Sequence, residues 1–332
     1  MKKSLVLLMA LVLVMTAMFV GCGKEDSKPA ADATLKFGFG VYTSAPTTAD
    51  ATADKDGSGK LDVTFAAVTL DKDGKIVACE LDTASNTVNF TADGKAVAKN
   101  EFKTKYELGA EYNMVTYGGA KKEWFEQADA FEKFVAGKTV AEVTALVGAD
   151  NKGNADVVNA GCTIMINEFV KAIEKACSVA ADSKVTAKHT LKVAAATEQT
   201  CTDATEEKDG SNKVSTTIFA AAVDAEGKVV AAMSDCVELS FTFDTKGVST
   251  LDTTKAITSK KDAGSNYGMV AYGGAKKEWF EQAAAFDAAC VGKTATEIAA
   301  FVGADGKGVA DIQTAGCTIY VTGFVKAASK IG

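Results

Sequence analysis

From Lys60 to Asp71 apolar and polar residues alternate, with Leu61, Val63, Phe65 and Ala67 on one side. A period of two is a strand with one buried face. Asp71-Lys-Asp-Gly74 has turn chemistry, and Lys75 to Leu81 reads as the returning strand of a hairpin. Thr87 to Thr91 adds a third short strand before an Asp93-Gly94 turn. The period then changes. Trp124, Ala128, Phe131 and Val135 fall at helical spacing, one apolar stripe on a helix that starts at Lys121 and ends at Gly137. Thr139 and Glu142 spell a capping box for a second helix, closed by Gly148. A polar loop, Asp150 to Gly153, follows, and Phe169, Val170, Ile173 and Cys177 mark a further helix.

The same order returns in the second half. Gly210-Ser-Asn-Lys213 matches Gly57-Ser-Gly-Lys60, Asp224-Ala-Glu-Gly227 matches the hairpin turn, and Thr294 with Glu297 repeats the capping box. Tyr117-Gly-Gly-Ala-Lys-Lys-Glu-Trp-Phe-Glu-Gln-Ala128 recurs unchanged as Tyr272 to Ala283, and Ala160-Gly-Cys-Thr163 recurs as Ala315-Gly-Cys-Thr318. Such a period is far too long for a solenoid. The pattern predicts an α+β protein of two tandem domains, 35–180 and 185–332, each an antiparallel sheet packed with about three helices. The joint falls near Ala180 to Lys184. The second domain is then expected to fold alone, with the joint the first place a protease cuts.

The beginning of the chain has a different character. Met1-Lys-Lys precedes an apolar run from Leu5 to Val20, then Gly21-Cys22. A basic start, a short apolar core and a small residue at the cut spell a secretory signal over residues 1–21. The run is shorter than the ~20 residues a bilayer core requires. Met-Phe-Val-Gly-Cys22 resembles a bacterial lipobox, with Phe19 where Leu is usual. That implies lipidation of Cys22 and attachment to the outer face of the cell membrane, with residues 22–34 as a polar tether.

Composition narrows the chemistry. The net charge is −7, and a negative chain is repelled by phosphate backbones, so nucleic acid is not an expected partner. Every basic side chain is Lys, which removes the bidentate forks that grip phosphates. A single His, His189, excludes a His triad in each repeat and His-rich metal sites, so no metal is expected. Seven cysteines remain after Cys22; an odd number without repeated spacing reads as isolated thiols rather than a disulfide framework.

Ala160-Gly-Cys-Thr163 and Ala315-Gly-Cys-Thr318 resemble the Ser-Gly-Ala-Thr motif of covalent FMN-binding domains. The hairpin ending Asp73-Gly-Lys-Ile-Val77 is similar to that domain's opening. The Tyr-x-Met, Trp-Phe-Glu-Gln and Val-Gly-Lys-Thr segments resemble the flavinylated lipoproteins of Gram-positive extracellular electron transfer. The chain departs from the motif at Ala160 and Ala315, where Ser or Thr is usual. It departs again at Asp156 and Asp311, one residue farther from the acceptor, and at Met165 and Tyr320, where a hydroxyl residue is usual.

The resemblance implies that a flavin transferase joins FMN to Thr163 and Thr318 through a phosphoester. It implies an electron-transfer flavoprotein rather than a conventional enzyme. A membrane donor linked to quinone would supply electrons, and soluble flavins, metal oxides or an extracellular reductase would take them. Residues expected around the flavins are Met114, Tyr117, Gly118, Gly119, Lys121, Asp156, Asn159, Gly161 and Cys162. In the second repeat they are Met269, Tyr272, Gly273, Gly274, Lys276, Asp311, Gly316 and Cys317. Lys121 and Lys122 read either as solvated helix charges or as the pair from which one neutralises the phosphate or the reduced ring, and the amides of a helix beginning near Thr163 would face the phosphate. Trp124 and Trp279 lie on the apolar stripe and read as core. The other class left open is a cofactor-free surface lipoprotein of two modules that binds a solute, a peptide or a partner.

Overall fold

A computed structural model describes residues 30–332. The leader, Cys22 and the first part of the tether lie outside the described residues. The first repeat lays down β1 (Thr34–Thr43), β2 (Thr47–Ala49), β3 (Gly57–Leu70), β4 (Ile76–Phe90) and β5 (Ala96–Val97). Five helices follow: α1 (Lys105–Leu108), α2 (Trp124–Val135), α3 (Val140–Thr144), α4 (Ala155–Ala160) and α5 (Asn167–Ser178). Then come β6 (Ala181–Thr186), β7 (Thr190–Thr202), β8 (Gly210–Val223) and β9 (Val229–Phe243). The second helical set is α6 (Lys260–Ala263), α7 (Trp279–Cys290), α8 (Ala295–Ala299), α9 (Ala310–Ala315) and α10 (Thr322–Ala328). The fold is α+β, as the sequence pattern indicates, with two antiparallel sheets of six and three strands.

Local chemistry explains the hairpins. Asp71 Oδ1 accepts from the amides of Asp73 and Lys75, and Gly74 takes the left-handed φ of 77° that closes the turn. Asp224 and Gly227 repeat this between β8 and β9. The strand expected at Thr87 to Thr91 is instead the end of one long β4. Its buried polar residues are satisfied, as where Asn86 Nδ2 donates to Thr216 Oγ1 at 2.7 Å, so polarity does not break the strand.

The sheets are arranged in a way the alternation does not reveal. Leu61, Val63, Phe65 and Ala67 share one core with Val214, Ile218, Leu239, Phe241 and Phe243 of the other sheet. The opposite faces, Ala66 and Val68 in one sheet and Phe219 and Ala221 in the other, lie beneath their own helices. The result is four layers: helices, sheet, sheet, helices. β3 is therefore buried on both sides from Thr64 onward.

A pseudo-twofold axis runs between the sheets. Phe90 stacks on Phe243, its counterpart in the repeat, with ring centroids 4.7 Å apart. The Ala51 amide donates to Gly247 O, and the Ala204 amide to Gly94 O. Lys175 pairs with Asp262, and Lys330 pairs with Glu107. Each bond has a mate of swapped repeats.

The joint between the repeats has secondary structure of its own. Residues 181–186 form β6, which pairs with β1 through Phe37↔Ala181 and Lys36↔Asp182. Val185 is fully buried in the shared core. The stretch between the repeats is a hydrogen-bonded strand of the first sheet, with Ala181, Asp182 and Lys184 exposed and Val185 turned inward.

Candidate functional site

The site begins at the start of α2, three residues later than the pattern predicts. Glu123 is its extended N-cap, and the Glu123 amide donates to Glu126 Oε2 at 2.8 Å. The buried Glu123 carboxylate reaches backward and accepts from the amides of Met114 and Val115 at 2.9 and 3.2 Å. Thus one side chain ties the Tyr-Gly-Gly loop to the helix. Gly118 is needed because a Cβ there would stand 2.7 Å from Met114 O, and Gly119 because its φ is 67°. Glu278 repeats the tie, accepting from Met269 and Val270 at 3.0 and 3.2 Å. Both loops leave their tyrosines in solvent, Tyr117 at 84% and Tyr272 at 92% exposure.

One turn along α2, on the same face as Glu123, stands Gln127, which is 1% exposed. Its Nε2 donates to Lys122 O at 3.0 Å. Its Oε1 accepts both the amide and the hydroxyl of Thr163, each at 2.9 Å. Gln282 repeats all three bonds: Nε2 to Lys277 O at 3.1 Å, and Thr318 amide and hydroxyl each at 2.9 Å.

The turn that carries Thr163 is made by the end of α4. Gly161 is the left-handed C-cap at φ 107°, and its amide donates to Val158 O. Cys162 then points into the helix-side core while Thr163 faces solvent. The Lys122 ammonium lies over Gly161, where a Cβ would meet it at 2.5 Å. Lys277 lies over Gly316 in the same way. Beside the first turn is an open cavity of about 570 Å³ lined by Lys122, Glu126, Asp129, Ala130, Lys133, Phe134 and Ala160. That is within the range of small-molecule sites.

The structure sorts the expected residues. It brings Thr163, Gly161, the Tyr117-Gly-Gly119 loop and their counterparts Thr318, Gly316 and Tyr272-Gly-Gly274 around the first turns of α2 and α7. Cys162 and Cys317 are core: burial pushes each thiol up to about 11, so both stay protonated near neutrality. Met114 and Met269 pack partly buried against the helix-side cores rather than lying open. Trp124 and Trp279 are core as expected, 3% and 4% exposed. The lysine at the turn is Lys122, not Lys121, and Lys277, not Lys276. Asp156 and Asp311 lie in the first turns of α4 and α9, at the far end from the threonines, and Asn159 is exposed on α4.

The expected helix start at Thr163 is also corrected. The following helices begin at Asn167 and Thr322, so their amides do not surround the hydroxyls. Charge at the turn comes from a lysine instead. Sequence reasoning passed over Gln127, Gln282, Glu123 and Glu278. The signal was present: a polar residue kept in both copies on the buried face of an apolar helix.

Among the described residues the seven cysteines are all free, and no group of acids, cysteines or histidines is placed to hold a metal. No helix among them is long and apolar enough to cross a membrane. No family model matches the chain, and no solved structure does. Over 108 residues the chain is 32% identical to a chlorophenol reductase of Desulfitobacterium hafniense, a match covering 28% of this chain and 33% of that protein. The chain thus spans about a third of the length of the curated relative it matches.

Proposed function

We propose that this protein is a membrane-anchored electron carrier bearing FMN on Thr163 and Thr318, attached by phosphoester and installed by a flavin transferase. The observation that carries the reading is the exposed threonine hydroxyl, held at 2.9 Å by a buried glutamine under a lysine, built identically in both repeats. A buried amide is costly to keep unless it has a task, and here its oxygen serves only the threonine. The residues fit the group. Lys122 and Lys277 supply the positive charge a phosphate needs in a chain without arginine. Gly161 and Gly316 leave room for those lysines at the turn, and Tyr117 and Tyr272 stand exposed on the loops tied to the same helix starts. Bound FMN would supply reversible one- and two-electron chemistry; the protein supplies place and charge. Covalent attachment suits a protein tethered outside the cell through Cys22, where a dissociable flavin would be lost. The named activity of the chlorophenol reductase is a reduction, in keeping with a redox role here. Electrons would come from a quinone-linked membrane donor and leave to soluble flavins, metal oxides or a reductase.

The test is intact mass of protein purified from its own host. Two adducts are expected, each FMN less one water. Thr163→Ala should leave one adduct, Thr318→Ala the other, and the double variant should be colourless yet folded. Each change should alter stability within about ±0.5 kcal/mol, as at other exposed positions. A double variant that keeps flavin through denaturation would place the attachment elsewhere. Colourless wild-type protein would favour a cofactor-free binding module.

A further inference from the structure

We propose that Gln127 and Gln282 are positioning residues for esterification, presenting the Thr163 and Thr318 hydroxyls in one orientation and releasing them once the ester has formed. This rests on the flavinylation reading and assigns the glutamines a part in it.

The orientation of the amide follows from its partners. Lys122 O can only accept, so the group facing it is Nε2; the Thr163 amide can only donate, so the atom facing it is Oε1. The same oxygen takes the Thr163 hydroxyl at 2.9 Å, and an amide oxygen has no proton to give. The hydroxyl must therefore be the donor, and its lone pairs face away from the protein. A threonine on an exposed turn otherwise divides its time among rotamers and hydroxyl rotations. Here the backbone amide and the hydroxyl of one residue converge on one buried atom, which fixes both. The second repeat reproduces every partner.

The chemistry then runs in one direction. The donor is a flavin dinucleotide held by the transferase. The Oγ–P bond forms as the phosphoanhydride P–O bond breaks, and a nucleoside monophosphate leaves. The hydroxyl proton passes to a base of the transferase, because the glutamine amide is not basic. Afterwards the ester oxygen carries no hydrogen and can only accept, so it no longer bonds Gln127 Oε1. The amide bond of Thr163 to that oxygen survives. The glutamine thus acts on how fast the site loads and has no part in how firmly the ester is kept.

The two repeats supply an internal control. The full-length chain is incubated with the host flavin transferase, FAD and magnesium, and peptide masses report loading at Thr163 and Thr318 of the same molecule. Gln127→Met keeps the length and apolar bulk and removes the acceptor. Thr163 should then load about tenfold more slowly than Thr318, the factor that ~1.4 kcal/mol of lost positioning carries. The loss should fall on kcat with KM little changed. Gln127→Glu retains an acceptor oxygen but loses the donor to Lys122 O and should restore only part of the rate, while Gln282→Met should mirror the effect at Thr318. Thr163 ester formed slowly in the Met chain should survive denaturation as well as wild type. Normal Thr318 loading certifies the fold, and Gln127→Ala is the second variant should methionine cost it. Equal loading of the two threonines in these variants would overturn the proposal while leaving the flavin reading intact. No adduct in the wild-type chain would sink that reading and this one together.

Discussion

The two repeats of this chain agree and disagree in different places. Around the threonines they are nearly superimposable in their bonds: the loop amides on Glu123 and Glu278, and the three bonds of Gln127 and Gln282, differ by at most 0.1 Å. At the seam between sheet and helices they diverge. Glu132 accepts from the Leu81 amide, where the shorter Asp287 takes both the amide and the hydroxyl of Ser234. Asn154 caps α4 through two amides, while Val309 before α9 makes no side-chain cap. Two copies in one chain behave like a pair of aligned sequences. The seam tolerates different solutions to the same packing problem, and the threonine cradle does not.

The largest effect should come from separating the copies. Residues 185–332 alone would expose Val214, Ile218, Leu239, Phe241 and Phe243, the inner face of a sheet that needs its partner. That fragment is expected to show no cooperative melting by circular dichroism, contrary to what the repeat pattern suggests. Adding residues 30–184 should restore a transition. A fragment that melts cooperatively by itself would mean the shared core is dispensable.

A second, smaller effect should separate the seams by pH. Burial, reinforced by the Glu80 carboxylate, pushes Glu132 up to about 8, while burial takes Asp287 only to about 6. A carboxyl with a raised folded-state pKa binds its proton more tightly in the native protein. Its contribution is therefore fully present below the unfolded value and is lost as pH rises through the folded one. For Glu132 that window runs from 4.5 to about 8, and for Asp287 from 3.8 to about 6. Urea midpoints should therefore fall between pH 6 and 8. Burial raises Glu80 and Asp82 to about 7 as well, so Glu132→Gln should flatten part of that fall, and Asp287→Asn should leave it in place. An unchanged slope in Glu132→Gln would mean the carboxyl is ionised throughout.

The smallest effect concerns the caps. Asn154→Ala removes bonds of 3.1 and 3.2 Å to the first turn of α4 and should cost about 1 kcal/mol. Val309→Asn gives α9 the cap it lacks and should gain a similar or smaller amount, read from the same denaturant midpoints. A loss on Val309→Asn would show that its apolar contacts outweigh a cap.

Features governed by near neighbours in sequence were legible. The Asp71 and Asp224 turns, the capping boxes at Thr139 and Thr294, and the stripe from Trp124 to Val135 all depend on a few adjacent residues. The meeting of the two sheets was not, because a strand covered by a second sheet and one covered by helices show the same alternation. The sign that remained was indirect: Gly59 stands where any Cβ would run into the Phe241 ring of the other repeat. At the site, the threonines and their glycines were legible through repetition. Gln127 carried the same mark of repetition but is easily passed over, because a helical glutamine is ordinarily a surface residue. Lys121 and Lys122 differ by one position ahead of a helix, too fine a distinction for pattern alone.

Four stacked layers have a consequence for contact with large objects. α2 packs on β4 and α7 on β9, and across the sandwich β4 lies mainly over β7, meeting β9 at Phe90 and Phe243. The two threonine turns therefore belong to different helix layers of a slab. Both sheets lie between α2 and α7, while the Lys175–Asp262 and Lys330–Glu107 pairs tie the two helical sets together at the edges. A flat body pressed against one broad side, whether lipid, mineral or a large protein, touches one turn and leaves the other in open water. The molecule is two-sided in the manner of a coin: a single encounter shades one face, and reaching both takes either two partners at once or a tumble in between.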